Sequence, residues 1–390
     1  MAAPLVTVIL PAKDAGEYIG TTLETLTRQF DDPSALKLVA IDDGSTDATG
    51  ELMRQYAARF DRAEVLTNPH PRGLATARNQ GLTHIEGDAF CFLDGDDWMQ
   101  PRRLDVLVRA LRELRCDFLR TDHVTVKRGE RRLVRAPFTH RGVVADPRAA
   151  IMPADDRTMV DYPYAWAGLL HRRVLDDGLA GFSDGLFTAE DRPWIWRLHL
   201  QAASFAVVDA PHLLYRRGVT DSLSKTLDRR QLDFSLALGE VLDLVSYDRD
   251  ASRLMPKAVS TVLALSAHHL VRARRMQPAV RRELRSGIRH LLARLPARAA
   301  AEAIAQLDGP RRRVLARTLR EAAREGASPD AGAVSPVTSS LGAHAVRAPA
   351  HSDPQPARPE PATPPLRSFA SPVRGGADRS PMRPGQEVGR

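Results

Sequence analysis

Three aspartates follow directly on a run of apolar residues in the segment AFCFLDGDDW, residues 89–98. The apolar run, residues 89–93, is short and rich in β-forming side chains, which predicts a buried strand. Asp94, Asp96 and Asp97 then stand together at the carboxyl end of that strand. Carboxylates this close repel one another and gain nothing from burial, so we expect a cation to balance them.

Asp94 and Asp96 have the spacing of a metal site. Side chains two residues apart on an extended chain point to the same side, so both carboxylates could converge on one hard divalent ion, which prefers oxygen ligands. Few protein ligands leave positions open for water and phosphate oxygens. We therefore predict a Mn²⁺ or Mg²⁺ site at Asp94 and Asp96. A solvated acidic turn is the alternative that the residues leave open.

A second acidic motif, IDDGSTD, occupies residues 41–47, about 50 positions earlier. Asp42 and Asp43 end a predicted strand, and the residues that follow can form a turn and cap the next helix. A carboxylate at a strand end can also accept hydrogen bonds from a nucleobase or a ribose hydroxyl. The residues alone leave both interpretations open.

A third acidic pair, Glu190 and Asp191, lies in TAEDRPWIWRL, residues 188–198, before a predicted helix. Acids at a helix N-terminus are favoured by the helix dipole, which is a purely structural explanation. Trp194 and Trp196 in the same segment could form a platform for a ligand or pack in the core.

These motifs are positioned by alternating strands and helices. Strands are predicted at LVTVILP, LKLVAID, AEVLTN and AFCFLD, and helices at AGEYIGTTLETLTRQ, ATGELMRQYAARF and LATARNQGLTHI. This alternation predicts an α/β fold with a parallel, doubly wound sheet, in which ligands bind beyond the carboxyl ends of the strands. The motifs at residues 41–47 and 94–97 lie at such ends.

Residues 103–390 differ from this first part in predicted secondary structure and in composition. Residues 103–215 read as mixed helices and short strands, and residues 229–325 as largely helical, broken by Pro256, Pro278, Pro296 and Pro310. The last 65 residues hold 12 of the 28 prolines and almost no aromatic residues, which predicts disorder because they cannot bury enough apolar surface.

Charge and composition limit the classes of protein to which the chain can belong. The net charge of +8 divides into −6 for residues 1–250, +12 for residues 251–325 and +2 for residues 326–390. No stretch approaches the roughly 18 to 20 apolar residues of a membrane span. The two cysteines, Cys91 and Cys116, form no metal spacing or disulfide framework, so we expect a reducing compartment.

The motifs VTVILPAKDAGEYIGTTLETLTRQ, IDDGSTD, NPHPRGLATARNQG, FLDGDDW and AEDRPWIWRL occur in an order and spacing that resembles glycosyltransferase family 2 over roughly residues 5–225. The resemblance implies a GT-A fold, with a Rossmann-like, mostly parallel sheet flanked by helices, and a nucleotide-sugar donor. Together with the charge and composition of the later residues, it divides the chain into a catalytic domain at residues 1–225, a basic helical region at residues 226–325 and a disordered tail at residues 326–390.

The resemblance also implies roles for the acidic motifs. Pro11, Asp42 and Asp43 would hold the nucleoside of the donor. Asp94 and Asp96 would contact the ribose and the metal diphosphate.

On the acceptor side, the resemblance makes Asp191 the general base, with Glu190 as second choice. A single base opposite the leaving group implies one displacement and inversion at the anomeric carbon. Asn79 could fix loop geometry rather than touch a ligand. The remaining expected contacts are Arg78, Arg216 and Arg217 for the donor and Trp194 for the acceptor.

We therefore expect an inverting, metal-dependent glycosyltransferase of bacterial cell-surface or cell-wall polymer synthesis, with a UDP-sugar donor and a glycan or polyol-phosphate acceptor. The segment PAKDAGE, residues 11–17, departs from the aromatic and Asn that the family usually carries after the Pro, which leaves the base contacts open. A nucleotidyltransferase would need a glycine-rich, basic phosphate loop there. A non-catalytic binding or scaffold protein is the third hypothesis, and the intact Asp94, Asp96 and Asp191 argue against it.

The basic helices of residues 251–325 have apolar and cationic sides, as in VRARRMQPAVRRELRSGIRHLLARL. They could pack on the catalytic domain or on a second copy of the chain, or they could face an anionic membrane, where each basic residue contributes on the order of 1 kcal/mol. We expect a cytoplasmic protein, peripheral at the inner face of the cell membrane. No aromatic residues interleave with the arginines, so nucleic acid is not expected as a partner.

Overall fold

The computed structural model describes residues 3–218 and 227–326. The predicted disordered tail, from residue 327 onward, lies outside the described residues. Residues 219–226, which include most of the segment YRRGVTDSLSK, also lie outside the described residues.

Strands and helices in the described residues follow the predicted alternation at the start of the chain. The strands are β1 (Val6–Ala12), β2 (Leu36–Asp43), β3 (Arg62–Asn68), β4 (Ala89–Phe92), β5 (Trp98–Met99), β6 (Phe118–Arg120), β7 (His123–Lys127), β8 (Glu130–Val134), β9 (Gly168–His171), β10 (Phe205–Val207) and β11 (Leu213–Arg216). The helices are α1 (Ile19–Leu26), α2 (Thr49–Ala57), α3 (Leu74–Leu82), α4 (Arg103–Leu114), α5 (Arg172–Asp176), α6 (Asp191–Gln201), α7 (Asp233–Ser246), α8 (Ala251–Arg272), α9 (Pro278–Ala293), α10 (Ala297–Gln306) and α11 (Gly309–Gly326).

The larger sheet has the strand order β10-β6-β9-β4-β1-β2-β3. Every neighbouring pair is parallel except those of β9, which runs antiparallel to β4 and β6. All residues of β1 and β2 are buried, as expected for strands covered by helices on both faces. The predicted α/β class with a mostly parallel sheet is confirmed.

The central strands end at the same edge of this sheet. In the register of β1 and β2, Ala12 lies beside Asp42, and on the other side of β1 the Leu93 N–H donates to the Ile9 carbonyl. The loops after β1, β2 and β4 therefore emerge together. A smaller sheet, β5-β11-β7-β8, brings Arg216 at the end of β11 to the loop after β4.

The described C-terminal helices pack in the same compact unit as the sheet. α8 buries Leu254, Val259 and Val262 completely, and α7 packs against both α8 and α6. Removing residues 251–390 would therefore expose core side chains, so the basic helices cannot be treated as a removable appendage.

Pro256 does not break a helix, contrary to the sequence prediction. It lies inside α8, where its ring removes one backbone donor near the start of a 22-residue helix that is packed on several neighbours. Pro278, Pro296 and Pro310 each lie within one residue of a helix start, where a missing N–H costs little.

Candidate functional site

The aspartates after β4 form a turn rather than an extended strand. β4 ends at Phe92, and the Asp97 N–H donates to the Asp94 carbonyl across the turn at 3.0 Å. The sequence analysis placed Asp94 and Asp96 on the same side because side chains alternate along a strand. That reason does not apply here, since the alternation requires extended backbone. Within the described residues, no group of three or more His, Cys, Asp or Glu side chains could hold a metal ion.

Asp96 lies in an environment that favours a cation. Burial raises the pKa of Asp96 to about 6, the charge of Asp94 adds to this rise, and Arg216 opposes it. Arg78 bonds one oxygen of Asp94, and the second oxygen receives no hydrogen bond from the described residues. One or two carboxylates of this kind fit an ion such as Mg²⁺, which takes its other ligands from phosphates and water.

Asp97 is fully buried and closes the turn against β11. One of its oxygens accepts from the Arg216 N–H at 2.8 Å, and the other has no hydrogen-bond partner among the described residues. Burial, reinforced by Asp96 and Asp94, raises the pKa of Asp97 well above its ordinary value. This rise in pKa favours the uncharged form of Asp97, which reduces the repulsion among the three carboxylates that the sequence places together.

Arg78 joins two of the acidic motifs. Its guanidinium is 3% exposed and donates to Asp94 Oδ1 at 2.8 Å and to Glu190 Oε1 at 2.9 Å. The guanidinium also lies 5.1 Å from the centre of the Phe182 ring. In this structure the contacts of Arg78 are with the acidic motifs that it holds in place, and its contact with the donor stays a prediction.

We expect Arg78→Met to lower the free energy of unfolding by about 3 kcal/mol, because two carboxylates would lose a buried cation. A carboxyl group whose pKa is raised in the folded state stabilises the protein while it is protonated. This contribution is lost as pH rises through the folded-state pKa, which is about 7 for Glu190. The defect should therefore be smaller at about pH 5 than at about pH 8. Urea unfolding measures it.

Arg109→Met is a matched control for this prediction, because Arg109 is exposed and pairs with Asp105 on α4. We expect the control to cost about 1 kcal/mol or less. Equal stability of Arg78→Met and wild type would contradict the bridge.

Glu190 and Asp191 stand at the start of α6 and differ in their surroundings. Glu190 is 6% exposed and tied to Arg78, whereas Asp191 is partly exposed. Burial raises the pKa of Glu190 to about 7, with Asp191 adding to the rise and Arg78 opposing it. Burial also raises the pKa of Asp191, and Arg192 opposes this. Apart from the backbone N–H of Asp191 itself, which lowers this pKa, no described residue donates a hydrogen bond to the Asp191 carboxylate, so it can accept one from a ligand.

The residues predicted to hold a nucleoside meet at the ends of β1 and β2. Pro11 pairs with Ile41 across the two strands. Asp42 is buried and accepts from the Ser45 N–H at 3.0 Å, and its second oxygen receives no hydrogen bond from the described residues.

Asp43 holds the loop after β3. Its carboxylate accepts from Asn68 Nδ2 at 2.8 Å and from the N–H groups of Arg72 and Gly73 at 2.9 Å each. With both oxygens in use, Asp43 supports the loop in this structure, whereas the sequence analysis expected it to contact the donor.

The unusual residues of PAKDAGE bind the neighbouring loop. Asp14 has a φ of 48° and accepts from the Thr46 N–H at 2.8 Å, while the Gly16 N–H donates to Asp47 at 2.8 Å. Lys13 forms an ion pair with Asp14. The loops after β1 and β2 are thus joined by hydrogen bonds, which the sequence analysis did not predict.

The two candidate arginines at the end of β11 have different neighbours. Arg216 Nε donates to the Asp96 carbonyl at 2.9 Å, and its guanidinium lies 4.6 Å from the Tyr18 ring centre and 4.5 Å from that of Trp98. Arg217 is exposed and lies over the Tyr215 ring at 5.4 Å. The contacts at the acidic turn belong to Arg216.

Trp194 packs in the core. It is 1% exposed, stacks on Phe182 with ring centres 5.4 Å apart, and donates from Nε1 to the Ala180 carbonyl at 3.1 Å. Its burial corrects the prediction that Trp194 binds the acceptor. Trp196 is buried as well.

A cluster of aromatic side chains near β11 was missed. Tyr164 and Trp166 stack at 4.8 Å, and Trp166 lies 5.1 Å from Tyr215, the neighbour of Arg216. Tyr164 and Tyr215 are partly exposed. The signal in the sequence was YPYAW, residues 162–166, in a chain with only 5% aromatic residues.

Comparison with known proteins shows which sequences and structures this chain resembles. Residues 7–175 match the sequence model described as Glycosyl transferase family 2. EpsH of Bacillus subtilis, named as a glycosyltransferase, is 25% identical over 257 residues, which cover 62% of this chain and 68% of EpsH. TuaG of the same organism, named for teichuronic acid biosynthesis, is 32% identical over 115 residues, which cover 30% of this chain and 45% of TuaG.

The structure resembles that of S. aureus TarS residues 1-349 in complex with UDP-GlcNAc. The TM-score is 0.63 at 18% identity, and the match covers 82% of this chain and 92% of that chain. At this identity the likeness concerns the fold, and it confirms the predicted GT-A arrangement. Among the helices described in residues 3–218 and 227–326, none combines the length and apolar character that crossing a membrane requires.

Proposed function

We propose, because residues 7–175 of the chain match the model of glycosyl transferase family 2, that the protein transfers a sugar from a nucleotide-diphosphate sugar to an acceptor hydroxyl with inversion. The observation that carries the proposal is the Arg78 bridge. It ties the acidic turn after β4 to the carboxyl pair that starts α6. A donor-side group and an acceptor-side base are thereby held next to each other.

On the donor side, Pro11 and Asp42 would contact the nucleoside at the ends of β1 and β2. Arg216 would meet the diphosphate, since a guanidinium matches phosphate geometry and this one already lies at the acidic turn. A bound Mn²⁺ or Mg²⁺ would supply positive charge to the leaving diphosphate, and Asp96 with Asp94 would hold it.

On the acceptor side, Asp191 would take the proton from the attacking hydroxyl. Asp191 is a partly exposed residue, whereas the neighbouring Glu190 is buried and bound to Arg78. A general base works best when its pKa lies near the operating pH, and burial moves the pKa of Asp191 in that direction. Attack from the side opposite the diphosphate gives inversion.

The substrate class is proposed from the named relatives together with the site. TarS is described in complex with UDP-GlcNAc, and TuaG is named for the synthesis of teichuronic acid. We therefore propose a UDP-sugar as donor and a glycan or polyol-phosphate polymer of the bacterial cell surface as acceptor.

The test is a screen of the purified protein against nucleotide sugars, with release of nucleoside diphosphate as the measurement. Turnover of a UDP-sugar that increases with added acceptor supports the proposal. Release of pyrophosphate from a nucleoside triphosphate would indicate a nucleotidyltransferase instead. Binding of nucleotide sugars without turnover under all acceptors tried would indicate a non-catalytic binding protein.

The C-terminal helices carry an excess of arginine that could meet an anionic membrane. In the described part of residues 278–320, three acids form ion pairs with arginines: Glu283 with Arg229, Glu302 with Arg298, and Asp308 with Arg311. Exposed arginines without an ion pair to a described residue include Arg274, Arg275, Arg282 and Arg312. Acidic side chains of these helices thus leave much of the positive charge unbalanced.

We expect the double substitution Arg274→Glu and Arg275→Glu to reduce binding to vesicles of anionic phospholipid at low salt by about 10-fold or more, because each basic residue contributes on the order of 1 kcal/mol. Vesicle co-sedimentation measures this. Arg131→Glu with Arg132→Glu, on the exposed strand β8, is the matched control. If the wild type ignores such vesicles, the helices become candidates for a contact between copies of the chain.

A further inference from the structure

The segment of residues 181–190, here called the base segment, leads into Glu190 and Asp191 and is held from two sides. One side is α3 and the other is α7. We propose that Asn79 of α3 and Glu240 of α7 are positioning residues that fix the base segment, and through it the base. This inference rests on the proposed function, because it assumes that Asp191 is the base.

Asn79 holds the base segment at its start. Its Nδ2 donates to the Phe182 carbonyl at 2.8 Å, and its Oδ1 accepts from the Phe182 N–H at 2.8 Å. The same amide group donates to Asp184 at 3.1 Å. A side chain that pairs with both backbone groups of one residue fixes its position and its orientation.

α7 holds the middle of the base segment. The Ser183 hydroxyl donates to the Glu240 carboxylate, whose oxygens lie 2.6 and 2.7 Å away. The Phe187 N–H donates to Asp233 at 2.7 Å. Hydrogen bonds to charged groups are stronger than those between neutral groups, so the two acids of α7 anchor the segment firmly.

These contacts explain how the chain adopts a strained conformation just before the base. Ala189 has a φ of 62°, in the left-handed region that residues with a Cβ seldom adopt. Such conformations persist where the surroundings fix them, and they cluster at functional sites. The next residue is Glu190, which is bound to Arg78. Loosening the base segment would therefore displace the start of α6.

Glu240 lies in the C-terminal part of the chain, on α7. α7 lies outside residues 7–175, which match the family. The C-terminal helices would thus contribute to the geometry of the catalytic site as well as to the core.

The experiment compares Glu240→Ala with Glu240→Gln in the full chain. A misplacement of about 1 Å can cost roughly 100-fold in rate, so we expect Glu240→Ala to lower kcat by about 10-fold to 100-fold. The donor KM should change by less than about 2-fold, since Glu240 is not expected to touch the donor. Glu240→Gln keeps an oxygen that accepts from Ser183, and it should restore most of the rate.

Asp243→Ala is the matched control. Asp243 stands one turn further along α7, is exposed, and pairs with Arg294, the residue after α9, instead of the base segment. Its kcat should equal that of the wild type. Equal losses in Glu240→Ala and Asp243→Ala, or an unchanged kcat in Glu240→Ala, would overturn the proposal.

A second measurement separates this inference from the proposed function. Hydrogen exchange of the base segment should be faster in Glu240→Ala than in wild type and unchanged in Asp243→Ala. If no nucleotide sugar is turned over by the wild type while this difference is seen, the glycosyltransferase assignment fails and the anchoring of the segment stands. If exchange is unchanged, the positioning role fails even when the enzyme is active.

Discussion

Replacing Asp191 with Asn is expected to lower turnover by about 100-fold or more, the usual scale of a general base. Affinity for the nucleotide sugar should stay within a few-fold of wild type, because Asp191 would act on the acceptor hydroxyl. Initial rates at saturating donor, together with calorimetric binding of the nucleotide sugar, measure the two quantities separately.

The pH profile gives this prediction a second readout. The base must be ionised to accept a proton, so wild-type turnover should fall as pH drops through the raised pKa values of the Glu190 and Asp191 pair. Asp191→Asn should flatten that limb. Asp176→Asn, at an exposed carboxylate that pairs with Arg172, is the control. Lost donor affinity with normal turnover in Asp191→Asn would assign Asp191 to binding.

Replacing Asp96 with Ala is expected to abolish transfer and donor hydrolysis, and a chelator should do the same to the wild type. The reason is the raised pKa of Asp96, caused by burial and by the charge of Asp94, which marks a carboxylate that a cation would stabilise. Activity assays with Mn²⁺, Mg²⁺ or chelator measure the effect.

Binding of Mn²⁺ in the presence of a nucleoside diphosphate offers a readout that does not depend on turnover. Asp96→Ala should lose this binding, while Asp31→Ala should keep it, because Asp31 is 82% exposed and pairs with Arg102. Full activity in chelator, or in Asp96→Ala, would refute the metal assignment.

The sheet and the edge that carries the site were predictable from sequence. β1 and β2 are short, apolar and β-branched, and parallel strands buried on both faces require such runs. The acidic motifs follow β2 and β4, the two strands on either side of β1. They had to lie at one edge of the sheet, because neighbouring parallel strands finish at the same edge. The family resemblance of the N-terminal part is confirmed over residues 7–175.

The partners of individual side chains were not predictable. Arg78 and Glu190 are 112 positions apart, and no local pattern announces that contact. The turn at Asp94 depends on one backbone hydrogen bond, which a pattern of alternating side chains cannot reveal. Trp194 stacks on Phe182, and an aromatic residue in a helix looks the same in sequence whether it packs inward or faces a ligand.

Arg216 shows how the fold can reduce the entropic cost of recognising a substrate. An arginine side chain that becomes ordered loses roughly 1.5–2 kcal/mol of rotamer freedom. Here the guanidinium already lies between Tyr18 and Trp98, and Nε already bonds the Asp96 carbonyl. That freedom is lost when the chain folds, so an anion arriving at Arg216 meets a cation whose orientation is already set. More of its interaction energy then remains as affinity.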